Sequence, residues 1–141
     1  MKYKNKYFKK LNYENSCTQS LFYSTLKNDK RNKKWKKQRK NHGNWDERTV
    51  WNLNTFMTEQ IYTWLKLYFE KADNFVDLTF YKFEINNTEM TERDAILLAI
   101  SDIEFYLVNL GSMEPEIIKK SSEKISEAYT IIGIVLPTLW Y

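Results

Sequence analysis

A single cysteine, Cys17, in a chain of 141 residues excludes an intrachain disulfide and any zinc site built on paired thiolates. The single histidine, His42, is too little for a His-rich metal site, and the Glu-x-x-His pairs of a helical di-iron site are missing. Metal chemistry would therefore have to be all-carboxylate, and neither a metal nor a cofactor is expected. Three glycines and two prolines leave long helices few interruptions. No apolar run is long enough to span a bilayer: the best, residues 131–136, is broken by Gly133. The first forty or so residues also lack the apolar centre of a secretory signal. The expectation is a soluble cytoplasmic protein that keeps away from membranes.

Hydrophobic residues make up 43% of the chain and aromatics 16%, which excludes a wholly disordered polypeptide. A domain of this length can bury roughly two-thirds of its unfolded surface. The net charge of +4 conceals an asymmetry: residues 1–43 carry fourteen Lys or Arg against Glu14 and Asp29, giving +12, and residues 44–141 carry −8. This reads as two parts, a basic arm over 1–43 and a helical domain over 44–141.

The arm begins with Lys alternating with Tyr and Phe. Residues 21–26 could then line one face of a short helix. A nearly unbroken cationic run follows, in which Lys33, Lys34, Lys36, Lys37, Arg39 and Lys40 surround Trp35 and lead to His42. Cations beside an indole suit a nucleic acid, because the charges neutralise phosphates and the ring can stack on an exposed base. Two other uses are open. The run can be a solvated charge patch, or it can pair with the acidic body of its own or another protomer, with Trp35 as a packing anchor.

The body opens on Asp46, an N-cap whose carboxylate can accept the N–H of Thr49. Trp45 and Val50 stand at hydrophobic-staple spacing. With Trp51 and Leu53 they seat a helix over about residues 46–71, whose wide apolar face runs through Val50, Leu53, Met57, Ile61, Trp64 and Tyr68, flanked by Phe56, Leu65 and Phe69. Residues 72–90 break the period. The aromatic stretch 78–85 predicts an ordered loop rather than a strand, since a lone strand has no partner, and Asn86-Asn87 marks a turn.

Thr91 caps a second helix, about 91–110, with Ile96, Ile100, Ile103, Leu107 and Leu110 on one face and Gly111 beyond its end. Pro115 opens a third, about 113–133. Its stripe of Ile118, Ser121/Ser122, Ile125, Ala128 and Ile132 has small residues that invite close helix approach. The apolar end, 134–141, is expected to tuck into the core or onto a partner. The predicted fold class is all-α: three main helices in a bundle, with a basic arm, an ordered middle loop and homo-oligomerisation through apolar helix faces.

The basic stretch, His42-Gly43, Asp46, the Trp51-x-Leu53-Asn54 step into a long helix, then Ile100, Ile103, Glu104 and Phe105, and a closing Leu139-Trp140 resemble a family of small bacteriophage-encoded proteins. Asn54 stands where that pattern has Asp, and Glu127-Ala128 where it has Glu-Gly. The resemblance implies phage origin, a helical fold and a setting in the host bacterial cytoplasm, and it implies no reaction. With it, the expected function is a non-enzymatic accessory protein that binds a host macromolecule or an anionic, nucleotide-like ligand, countering host defence or redirecting host machinery. Nucleic-acid binding through the arm is the alternative. A metal-dependent enzyme on nucleotides would need Asp46, Asp102 and Glu104 to converge near His42.

Overall fold

A computed structural model describes residues 5–13, 28–43 and 45–140, apart from the side chain of Trp51. The expected helix at residues 21–26 lies outside them. The described residues are mostly helical: α1 (Lys6–Lys10), α2 (Asn32–Asn41), a 3-10 helix (Glu47–Asn52), α3 (Leu53–Ala72), α4 (Glu92–Val108) and α5 (Pro115–Val135). Between α3 and α4 lies a two-stranded antiparallel sheet, β1 (Lys82–Ile85) with β2 (Thr88–Thr91).

The hairpin corrects the all-α expectation and the loop expected over 78–85. The strand expected to lack a partner finds one three residues on. Asn86 and Asn87 take φ of 51° and 59°, the left-handed pair that a tight two-residue turn requires and that Asn tolerates best after Gly. Register places Phe83 opposite Met90 and Ile85 opposite Thr88. Ile85 is buried in the core, and Asn86 donates to Glu127 of α5 at 3.0 Å, so the hairpin is pinned at both its apolar and its polar face.

The second and third helices fall where the periodicity puts them. Thr91 accepts the N–H of Asp94 at 3.1 Å, and the N–H groups of Glu92 and Arg93 donate to carbonyls of Tyr81 and Leu78. Removing that cap with Thr91→Ala is expected to cost about 1 kcal/mol in urea unfolding; no change would mean the loop carbonyls alone fix this helix start. Ile96, Ile100, Ile103 and Leu107 are buried against Ala128, Ile131 and Val135 of α5, with Ala95 and Ala99 letting the helices close.

The first expected helix differs in two ways. Asp46 does cap, but it caps the 3-10 helix through the N–H of Arg48 at 3.1 Å, and the α-helix starts at Leu53. The apolar face is also turned. Val50 is 60% exposed and Trp64 62%, with Leu53 and Met57 exposed too, so Val50 and Leu53 are not core anchors. Trp45, itself 39% exposed, packs its ring edge-on against Phe56 at 4.9 Å. The inward face carries Thr58, Glu59 and Tyr62 beside the expected flank residues Phe56 and Leu65, and of the expected stripe Ile61 and Tyr68 are half-buried against the core. These polar groups can be buried because each finds a partner: Thr58 bonds the Asn54 carbonyl and the Tyr129 hydroxyl, Glu59 accepts from Tyr13, and Tyr62 donates to Glu104. Burial and Glu104 push the Tyr62 phenol well up, so it remains a donor.

The start of the basic arm belongs to this core. Asn5 caps α1, Phe8 stacks on Tyr62 at 5.6 Å, and Tyr7 meets the same ring edge-on at 6.5 Å. Lys6 pairs with Glu70 at 2.9 Å, and the Tyr7 hydroxyl also donates to Glu70. At the other terminus Leu139 packs on the core, while Leu136 and Trp140 are exposed.

Candidate functional site

The cationic run forms α2, and its residues divide by face. Trp35, only 2% exposed, is the side chain that seats the helix. Its indole N–H donates to Glu47 at 2.9 Å, and the guanidinium groups of Arg31 and Arg48 lie 4.8 and 4.2 Å from its ring. Lys34 reaches the same Glu47 at 2.7 Å, and Gln38 accepts the Glu47 backbone N–H at 3.0 Å. Arg39 donates to Asp46 at 2.6 Å, and Arg48 grips that carboxylate with Nε and Nη2 at 2.8 and 2.6 Å. The Arg48 guanidinium holds the Asp46 carboxyl down to about 2 against the opposing effect of burial, with Arg39 adding to the shift.

The expected binding set is therefore split. Trp35 is not accessible for stacking on a base, and Lys34 and Arg39 are engaged with the first acids of the body. Lys33, Lys36, Lys37 and Lys40 remain exposed, and among the described residues no ion pair includes them. Their spacing of three, one and three residues puts them on a single face of the helix, over about 10 Å, and opposite Trp35 and Arg39. His42 is exposed at the C-cap, and Gly43 follows with φ of 62°.

The acids that an enzymatic centre would require are engaged separately. Asp46 serves Arg39 and Arg48, Asp102 binds Lys124 at 2.6 Å, and Glu104 accepts from Tyr62 at 2.8 Å with Lys66 3.9 Å away. Among the described residues no group of three or more His, Cys, Asp or Glu is placed to hold a metal ion.

A second feature lies outside the residues singled out by the sequence as a site. The first turns of α3, the end of α4 and the first half of α5 leave an open groove of about 650 Å³. Its wall is apolar through Met57, Leu110, Ile118 and Ile125, and its polar edge is made by Asn54, Thr58, Tyr106, Ser121 and Tyr129. Among the described residues no acidic or basic side chain lines it. Thr58 and Tyr129 share a hydrogen bond at 2.9 Å, and Asn54 reaches the Tyr106 hydroxyl at 3.5 Å. Ser121, read from sequence as a small residue for close helix approach, borders this groove instead. The available signal was the run of serines at 121, 122 and 126 among the isoleucines of α5, too polar a mix for a seam packed wholly against another helix.

No helix among the described residues is long and apolar enough to cross a membrane. No protein family, curated protein or solved structure matches the chain.

Proposed function

We propose that the protein is a non-enzymatic binding protein that engages a nucleic-acid backbone through the lysine face of α2. The observation that carries this reading is the division of α2 into two faces. Trp35 and Arg39 seat the helix on Asp46 and Glu47, and the opposite face presents Lys33, Lys36, Lys37 and Lys40 without a carboxylate partner among the described residues. Four cations over about 10 Å meet a duplex that carries one phosphate charge per roughly 1.7 Å of its axis. The −8 body repels such a polyanion, so approach is favoured at α2.

Burial of Trp35 favours a duplex over an unstacked single strand, because this helix offers phosphate neutralisation without a stacking platform. The resemblance to phage-encoded proteins supports a setting in the host bacterial cytoplasm, with host nucleic acid or its complexes as the target.

Fluorescence anisotropy with a short labelled DNA duplex tests the reading. Four phosphate contacts give an expected slope of log affinity against log salt of about −3 to −4. Replacing Lys33, Lys36, Lys37 and Lys40 together by Gln should flatten that slope, and His42→Ala should not. Binding insensitive to salt, or no binding, would sink the nucleic-acid reading. Retention of an acidic host protein by the same four lysines would move the function to that partner.

A further inference from the structure

We propose that the groove between α3, α4 and α5 is a binding site for an uncharged small molecule with an apolar face and a hydrogen-bonding edge. The first support is size and composition. At about 650 Å³ it falls within the range of clefts that take small ligands, and its lining joins an aliphatic wall to a few polar groups, the usual make-up of such sites. The second is that, among the described residues, no acidic or basic side chain belongs to that lining. A charged ligand would lose hydration there without gaining a counter-charge, whereas hydroxyls and amides can each donate or accept to suit a neutral one.

The third support is Ser121. It is 8% exposed, it lines the groove, and among the described residues its hydroxyl has no hydrogen-bond partner. Buried hydroxyls are rarely left so. A helical hydroxyl has a ready local partner in the carbonyl four residues back, and Thr58, Thr63 and Thr130 all use theirs. Ser121 does not, so among the described residues its donor and acceptor positions stay unused just behind the groove wall, where a turn about χ1 would present them to a ligand. Part of the neighbouring polar edge is already held by the Thr58–Tyr129 hydrogen bond, so there a ligand would meet a formed surface rather than having to order one. The same placement gives a use to Asn54, which lies in the first turn of α3 and faces this groove.

The test is a titration of the full chain by amide-resolved NMR with four probes of similar shape: benzamide and benzyl alcohol, which are neutral, and benzoate and benzylammonium, which are charged. The neutral pair is expected to shift the resonances of Asn54, Ser121 and Tyr129 and to bind about tenfold or more tighter than the charged pair. Ser121→Ala should weaken benzamide roughly three- to tenfold, the loss of one hydrogen bond, and the control Thr130→Val, at an exposed site outside the groove, should not. Equal shifts from all four probes, shifts confined to other surfaces, no shift, or a Ser121→Ala protein that keeps full benzamide affinity would each overturn the proposal. The comparison of neutral with charged probes uses the unaltered protein and so does not depend on the variant folding.

Discussion

Lys124→Met is expected to lower the unfolding free energy by about 3 kcal/mol, with the midpoint of urea denaturation falling and the denaturant slope unchanged. Asp102 is 0% exposed at the contact between α4 and α5, and Lys124 reaches its Oδ1 at 2.6 Å, while Oδ2 has no partner among the described residues. Removing the ammonium leaves a buried carboxylate without its counter-charge, which is far more costly than never having had the pair. The Lys124 side chain is 28% exposed, so water can partly reach the gap, and the lower end of the range for broken buried pairs applies. Lys124→Arg should retain most of the stability. The double change Asp102→Ala with Lys124→Met should cost much less than Lys124→Met alone, because no charge remains to be solvated. If the single and double variants are equally unstable, packing of the Lys124 stem explains the loss and the ion pair does not.

The α4–α5 pair is the part of the fold most legible in the sequence. Its caps, its stripe of Ile96, Ile100, Ile103 and Leu107, and Pro115 at the start of α5 are local signals that agree with one another and with the buried core. Asp102 was not legible as a core residue. A carboxylate can sit there because of a lysine twenty-two positions away, and no periodicity encodes that partner.

The same limit explains α3. Hydrophobic count favoured the face with Val50, Leu53, Met57 and Trp64, but burial went to Thr58, Glu59 and Tyr62, whose hydrogen-bond partners come from α4, α5 and the start of the chain. Once polar groups are satisfied across elements, the hydrophobic period no longer identifies the inward face. The hairpin was half legible: Asn86-Asn87 signalled a turn, and the missing step was to let residues on both sides of it pair.

Of the candidate site, composition located the cations but not their division. That Lys33, Lys36, Lys37 and Lys40 share one helical face follows from spacing alone. That Trp35 and Arg39 face inward depends on Asp46 and Glu47, which look in sequence like ordinary helix-start acids. The groove was illegible for a different reason. It is a space left between three elements: the serines at 121, 122 and 126 hint at a polar edge, but a buried serine hydroxyl without a partner among the described residues exists only once those elements are packed.

Asp46→Ala should cost about 3 kcal/mol at neutral pH and should also change how stability responds to acid. Asp46 accepts from the Arg48 backbone N–H and guanidinium and from Arg39, and the Arg48 side chain is 4% exposed, so loss of the carboxylate removes the cap and the counter-charge of a buried cation together. It also loosens the seat of α2, since Arg39 is one of its links to the body. The pH response follows from the direction of the shift. The carboxyl is lowered from 3.8 to about 2 in the folded chain, mainly by the hydrogen bond from Arg48, so between those values the unfolded chain binds the proton more readily. The contribution of the group is fully present above the unfolded value, is lost as pH falls through the folded one, and amounts to about 2 kcal/mol. Urea unfolding followed from about pH 5 down to about pH 2 should show stability falling more steeply in the unaltered protein than in Asp46→Ala, so that the gap between the two narrows toward the acid end. Other acids held low by partners, Asp29, Glu47 and Glu70 among them, contribute to both curves, which is why the difference and not either slope is decisive. A gap that stays constant with pH would mean that Asp46 acts only through its cap geometry, and that Arg48 and Arg39 hold α2 in place without it.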